Sequence, residues 1–167
     1  LGVSGLGLEK TEVPLPDVDA VVSNLPYVRQ EWIDDKEKLK QALAKDFAPS
    51  PPHLSGRSDL HCYFWPHATP FLYEGGYVGF LSSNSWLDVD YGTDLQKFIL
   101  DHYKVLVILE SKVERWFSEA AVNTCITILQ KCSNAQERAD NLVRFVQIKK
   151  PLAQLIPQTE NEVVRQG

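Results

Sequence analysis

A recurring alternation constrains this chain more than any other feature: short apolar runs, each separated from the next by a stretch with helical spacing. Val18, Ala20, Val21 and Val22 lie within Asp17–Asn24, and Val78, Phe80 and Leu81 within Tyr77–Ser82. Val105–Leu109 is apolar throughout, and Thr124–Lys131 alternates around Ile126, Ile128 and Leu129. Runs of this length and composition read as strands. Leu142–Ile148 adds one further run, after a polar helix or loop at 133–141. Between the runs, residues 31–46 carry Trp32, Ile33, Leu39 and Leu43 at loosely helical spacing, which predicts an exposed helix. Asp59 can cap a second helix running to about Tyr73, kinked or shortened by Pro66 and Pro70. Tyr91–His102 places Leu95, Phe98 and Ile99 on one face of a third. The prolines of Ala48–Gly56 mark a loop, and Glu74-Gly75-Gly76 a turn. Strand, helix, strand, helix, strand implies an α/β fold with a mainly parallel sheet covered by helices. In such sheets ligands bind beyond the carboxyl ends of the strands. Asn24 sits where the first strand ends, so its side chain is expected to face that crevice.

Composition removes several functions. The chain has 167 residues, 44% of them hydrophobic, enough for one ordinary core. No apolar run approaches the ~18 residues of a membrane helix, so no membrane partner is expected. A formal net charge of −5 argues against a chain that grips nucleic acid by charge alone. Cys62, Cys125 and Cys132 are odd in number and form no Cys-x-x-Cys, which points to a reducing cytoplasm. Nothing near Leu1 resembles a signal peptide, and a chain without methionine fits a piece of a longer protein. His53, His61, Cys62 and His67 match no standard metal spacing; the histidines are expected to be scattered over the surface, and no metal is expected. Ser82-Ser83-Asn84-Ser85 lacks the Gly-x-Ser-x-Gly of a nucleophile elbow, and Glu110, Glu114 and Glu119 suggest a solvated face.

The most informative stretch is Asp19-Ala20-Val21-Val22-Ser23-Asn24-Leu25-Pro26-Tyr27. It resembles motif IV of amino-group methyltransferases, (Asp/Asn/Ser)-Pro-Pro-(Tyr/Phe/Trp), although Asn-x-Pro-Tyr is also an ordinary turn after a strand. Tyr27-Val28-Arg29-Gln30-Glu31 continues as in the adenine-specific DNA methyltransferases of restriction–modification systems, above all the type IIG enzymes that fuse cleavage and methylation. Leu54-Ser55-Gly56-Arg57-Ser58-Asp59-Leu60 is similar to the Gly-x-x-Asp-Leu segment that opens their next helix. Gly75-Gly76-Tyr77-Val78-Gly79-Phe80, then Asn84-Ser85-Trp86-Leu87 and Tyr91-Gly92, resemble their fifth strand and the loop after it. Trp116-Phe117-Ser118-Glu119-Ala120-Ala121-Val122-Asn123-Thr124-Cys125-Ile126 is similar to their motif VIII and final strand. The matches fall in the family's order and cover roughly residues 14–150.

The resemblance implies the catalytic half of a Rossmann-like, S-adenosylmethionine-dependent methyltransferase domain over 1–150: four core strands with flanking helices, the last strand antiparallel. It implies transfer of methyl to a flipped adenine in DNA. An adenine amino nitrogen is a poor nucleophile, because its lone pair is delocalised into the ring. The Asn24 side-chain oxygen and the Leu25 carbonyl would accept the two amino hydrogens, with Pro26 holding Leu25 extended. Tyr27 would stack on the extruded base and Phe117 on its other face. The plain alternatives are a strand-end turn for Asn24 and Tyr27 and a core aromatic for Phe117. Leu25 departs from the proline usual at its position. Asn-Leu-Pro-Tyr also occurs in ribosomal-RNA adenine dimethyltransferases, which are the alternative enzyme reading; a non-catalytic binding module that keeps the fold is a third. The donor-binding half is missing from the pattern, since Leu1-Gly2-Val3-Ser4-Gly5-Leu6-Gly7 follows no strand. The polar tail at 151–167 is expected to be loosely ordered and to lead toward an absent target-recognition domain. The Val18–Ser23 strand is expected to expose an edge prone to self-association.

Overall fold

The computed structural model describes residues 16–117 and 123–156. The glycine-rich segment at 1–12, the motif VIII residues 118–122 with Glu119, and the tail from 157 lie outside the described residues.

The expected α/β architecture is present. The strands are β1 (Val18–Asn24), β2 (Leu72–Ser83), β3 (Tyr103–Ser111), β4 (Thr124–Lys131) and β5 (Arg144–Ile148). They form one five-stranded sheet in the order β1-β2-β4-β3-β5. β1 pairs parallel with β2, and β3 with β5, while β4 runs antiparallel to both β2 and β3. Four strands therefore share one direction, and β4, the last of the four core strands in sequence, opposes them. β4 begins where β2 and β3 end, which spreads the carboxyl ends of those two strands apart.

The helices are α1 (Lys36–Asp46), α2 (His61–Ala68), α3 (Gly92–His102) and two short ones, α4 (Ala135–Ala139) and α5 (Leu152–Leu155). The Asp35 carboxylate caps α1 by accepting from Lys38 N at 3.2 Å, and Asn134 caps α4 through Gln136 N and Glu137 N. α2 stops at Ala68, shorter than the spacing suggests. Pro66 sits inside it, and a tight turn at Thr69–Phe71 with Pro70 hands the chain straight to β2. β2 consequently starts at Leu72 rather than Tyr77. Glu74-Gly75-Gly76 is an interruption within the strand: the β1 register jumps from Val18↔Leu72 to Ala20↔Tyr77. Gly75 takes φ +87, and a Cβ on Gly76 would lie 3.0 Å from the Tyr73 carbonyl and 3.1 Å from that of Asp19. At the described start of the tail, Leu152–Leu155 is helical and Leu152 N donates to Glu114 Oε1 at 2.7 Å.

The core lies between α1–α3 and one face of the sheet. Val78, Phe80, Cys125, Thr127, Leu129 and Ile108 point into it. Trp65 packs edge-on against Phe80, ring centroids 4.9 Å apart, and leans on Trp86 at 5.7 Å. His61 is 1% exposed, not a surface residue; burial holds its imidazole near pKa 4, hence neutral. The opposite face carries Val22, Gly79, Ile128 and Val107 side by side across four strands, and Val22 is 80% exposed. Parallel sheets bury both faces, but the described helices cover one.

Gly92 fixes the start of α3 against the turn at Ser85–Leu87. A Cβ there would lie 2.0 Å from the Trp86 carbonyl oxygen, a backbone atom that cannot move aside without carrying the turn with it. Gly92→Ala should therefore destabilise the fold by about 1–3 kcal/mol or more, read as a lowered thermal unfolding midpoint. An unchanged midpoint would contradict this packing.

Candidate functional site

The carboxyl ends of the parallel strands bring the sequence-singled residues to one rim. Asn24 ends β1 opposite Leu81 and is exposed. By strand alternation its side chain shares the open face of the sheet with Ala20 and Val22. Leu25 turns the other way, into the core, and is 1% exposed. Its amide donates to the Leu81 carbonyl at 2.9 Å, one step beyond the ladder. Pro26 follows, half-buried, and brings the chain round so that the Tyr27 hydroxyl donates to Asn24 Oδ1 at 3.0 Å. Burial raises the Tyr27 hydroxyl above its ordinary pKa, with a smaller push from Cys125, so it stays a donor at neutral pH. Phe117 reaches the same place from beyond β3: its ring centroid is 5.6 Å from that of Tyr27, with the planes tilted by 58°. Asn24, Leu25, Pro26, Tyr27 and Phe117 are thus gathered at one point on the rim.

The loop behind Tyr27 is held by residues that the sequence alone did not single out for this. Asp59 does not cap α2, whose first residue is preceded by Leu60 with no side-chain cap. Its carboxylate instead accepts from Gln30 N at 2.9 Å through Oδ1 and from the Tyr91 hydroxyl at 2.9 Å through Oδ2. Leu60 N donates to the Val28 carbonyl at 3.0 Å, and Lys36 Nζ bridges Gln30 Oε1 and the Gly56 carbonyl. Asp59 and Tyr91 are 32 residues apart, so no local spacing could have paired them.

A second group occupies the gap opened by β4. Asn84 Nδ2 donates to Glu110 Oε1 at 2.9 Å, and Asn84 N to the Asn123 carbonyl at 3.0 Å. They border a cavity of about 340 Å³ that also meets Thr124 and Arg115. Glu110 and Glu114 are therefore bonded and partly buried, not members of a solvated face. Ser83 and Ser85 join a hydroxyl chain to Tyr91. All three cysteines are free, and burial raises the thiols of Cys62, to about 12, and of Cys125. Among the described residues no His, Cys, Asp and Glu cluster could hold a metal ion, and no helix is long and apolar enough to cross a membrane. Chemically, the rim offers the neutral amide oxygen of Asn24 as an acceptor beside two aromatic rings.

Residues 16–117 match the Eco57I restriction-modification methylase family. The chain is 34% identical over 142 residues to the type II methyltransferase M.XamI of Xanthomonas campestris pv. amaranthicola, covering 81% of this chain and 25% of that protein. It is 38% identical over 92 residues to M.BstVI of Geobacillus stearothermophilus, covering 55% of this chain and 15% of that protein. The chain therefore spans at most about a quarter of these two relatives. Its fold is similar to that of a Listeria monocytogenes protein provisionally assigned as a class I S-adenosylmethionine-dependent methyltransferase, with TM-score 0.60, 22% identity, and coverage of 84% of this chain and 39% of that one.

Leu25→Pro would install the residue more usual at this position in the resembled enzymes. It would also delete the Leu25–Leu81 hydrogen bond and a fully buried side chain. The expected cost is at least about 2 kcal/mol, visible as a lower urea midpoint; unaltered stability would show that the bond is dispensable.

Proposed function

The chain belongs to the Eco57I restriction-modification methylase family, and from that membership and the rim geometry we propose that its parent protein methylates the N6 amino group of an adenine in DNA, with S-adenosylmethionine as donor, as the modification activity of a restriction–modification system. Family membership favours this reading over the ribosomal-RNA alternative. The observation that carries the proposal is the bond from the Tyr27 hydroxyl to Asn24 Oδ1 at the end of β1. A neutral, exposed oxygen is held ready to accept a donor hydrogen, and the hydroxyl occupies the place an amino group would take.

The described residues offer no cradle for the adenosine of S-adenosylmethionine. Asn24 Oδ1 stands at the rim, while among these residues no glycine-rich loop leads from a strand into a helix. When bound, the donor supplies an electrophilic methyl group. The chain's own work is on the base. Asn24 Oδ1 and the Leu25 carbonyl accept the two amino hydrogens, drawing them out of the ring plane and localising the lone pair on nitrogen. Tyr27 and Phe117 would cover the two faces of the base. A sandwiched base needs the rings roughly 7–8 Å apart, two layers of ordinary carbon contact, and they stand at 5.6 Å. Entry of the base must therefore swing the rings apart. Where Tyr27 is the ring that moves, its bond to Asn24 breaks and the acceptor is freed as the base arrives.

Donor-binding elements would join at the outer edge of β1, which has no hydrogen-bonded neighbour among the described residues, and across the open apolar face. Left unpaired, the same edge is where copies would self-associate. The acidic chain leaves most of the grip on the DNA backbone to other parts of the protein. A reducing cytoplasm, where DNA is at hand, suits the free cysteines.

In the full-length protein, Asn24→Ala should lower the methylation rate by about a hundredfold or more, with the thermal midpoint and donor affinity nearly unchanged. Nucleoside mass spectrometry of the DNA reads the product as N6-methyladenine. Near-normal methylation by this variant, or methyl found on cytosine, would contradict the proposal.

A further inference from the structure

The loop that carries Tyr27 is fastened at both ends. Its start is tied by the Leu25 amide to Leu81, and its end by two consecutive residues that precede α2: Asp59 takes the Gln30 amide and Leu60 the Val28 carbonyl. Both oxygens of the Asp59 carboxylate are used, one on Gln30 N and one on the Tyr91 hydroxyl, each at 2.9 Å. Because Tyr91 donates to Asp59, the 2.9 Å contact between Ser85 Oγ and Tyr91 is a bond donated by Ser85, and Ser83 in turn donates to Ser85 at 2.9 Å. The hydroxyls of Ser83, Ser85 and Tyr91 therefore point one way and end on a charge, an arrangement in which each bond polarises the next. Burial pushes the Tyr91 hydroxyl to about 12, so it remains a donor throughout the working pH range. Ser83 closes β2, two residues beyond Leu81, so the relay joins the far end of the Tyr27 loop to the strand that anchors its near end.

We propose that Asp59 is a positioning residue for base methylation, holding Val28–Gln30 and thereby the Tyr27 ring in register with Asn24, and locking that register to the end of β2 through Tyr91 and Ser85. Asp59 touches neither base nor donor. It acts through the backbone of the loop, and its loss widens the range of places where Tyr27 can sit. Misplacement of about 1 Å in a positioned group is enough to cost on the order of a hundredfold in rate. The inference rests on the methyltransferase reading above.

The test is steady-state methylation by the full-length protein carrying Asp59→Ala, Asp59→Asn or Tyr91→Phe, with Asn24→Ala alongside. Asp59→Ala should lower kcat by about tenfold to a hundredfold while KM for DNA and donor affinity change little; the loss of its two hydrogen bonds also lowers the thermal midpoint. Asp59→Asn keeps an oxygen for Gln30 N and a polar group for Tyr91, and should restore kcat to within about fivefold of the parent protein. Unchanged kcat in Asp59→Ala, or no recovery in Asp59→Asn, overturns the positioning role. If Asp59→Ala does not fold, Tyr91→Phe decides. That change removes one hydroxyl and should lower kcat by about threefold to tenfold at constant KM, whereas an unchanged kcat overturns the proposal. Activity retained in Asn24→Ala would instead overturn the underlying reading, so the two failures are distinguishable.

Discussion

The register of β1 against β2 decides where every residue of the site lies. Six residue pairs run in parallel from Val18↔Leu72 to Asn24↔Leu81, and the Leu25 amide adds one more bond beyond them. A shift of one residue would send Asn24 into the core and Leu25 to the rim, because side chains alternate faces along a strand. The register is pinned at the other end by the interruption at Glu74-Gly75-Gly76. Gly75 there supplies a positive φ, and Gly76 leaves room for two carbonyls. Glycines more than fifty residues downstream thus set the position of the candidate acceptor.

β4 has an equally direct effect on the rim. Inserting one antiparallel strand between β2 and β3 separates their carboxyl ends and places the start of β4 in the gap. Asn84 and Glu110 meet across that gap, and the strand order returns the chain so that Phe117 touches Tyr27. Two loops distant in sequence then flank Asn24, each tied to the turn after β2. The loop behind Tyr27 reaches it through Asp59, Tyr91 and Ser85, and Asn123 reaches it through Asn84 N.

Much of this was legible in the sequence, for identifiable reasons. Strands with two-residue or continuous apolar patterns announced themselves, and so did the helix at 92–102, where Leu95, Phe98 and Ile99 mark one face. Asn24, Leu25, Pro26 and Tyr27 stood out through their resemblance to motif IV of amino-group methyltransferases, since the local pattern alone reads equally as a turn after a strand. The early start of β2 was not legible: Pro66 and Pro70 marked the helix as kinked or shortened, but local spacing did not show that it ends at Ala68 and gives way to a strand at Leu72. The burial of His61 was hidden as well: its neutral state follows from burial in the tertiary fold, which its neighbours in sequence do not announce. Asp59 was misjudged for a general reason. An acid just before a helix satisfies local capping rules, and only the tertiary fold reveals that Gln30 and Tyr91 claim both of its oxygens.

The central claim is that an extruded base sits between Tyr27 and Phe117 with its amino group on Asn24. Photochemical cross-linking tests it most directly. A DNA duplex carrying 5-iodouracil in place of the methylated adenine is bound to the full-length protein, irradiated, and the attachment site is mapped by peptide mass spectrometry. Attachment at Tyr27 or Phe117 is the expected result. Attachment confined to residues away from the β1 rim would contradict it.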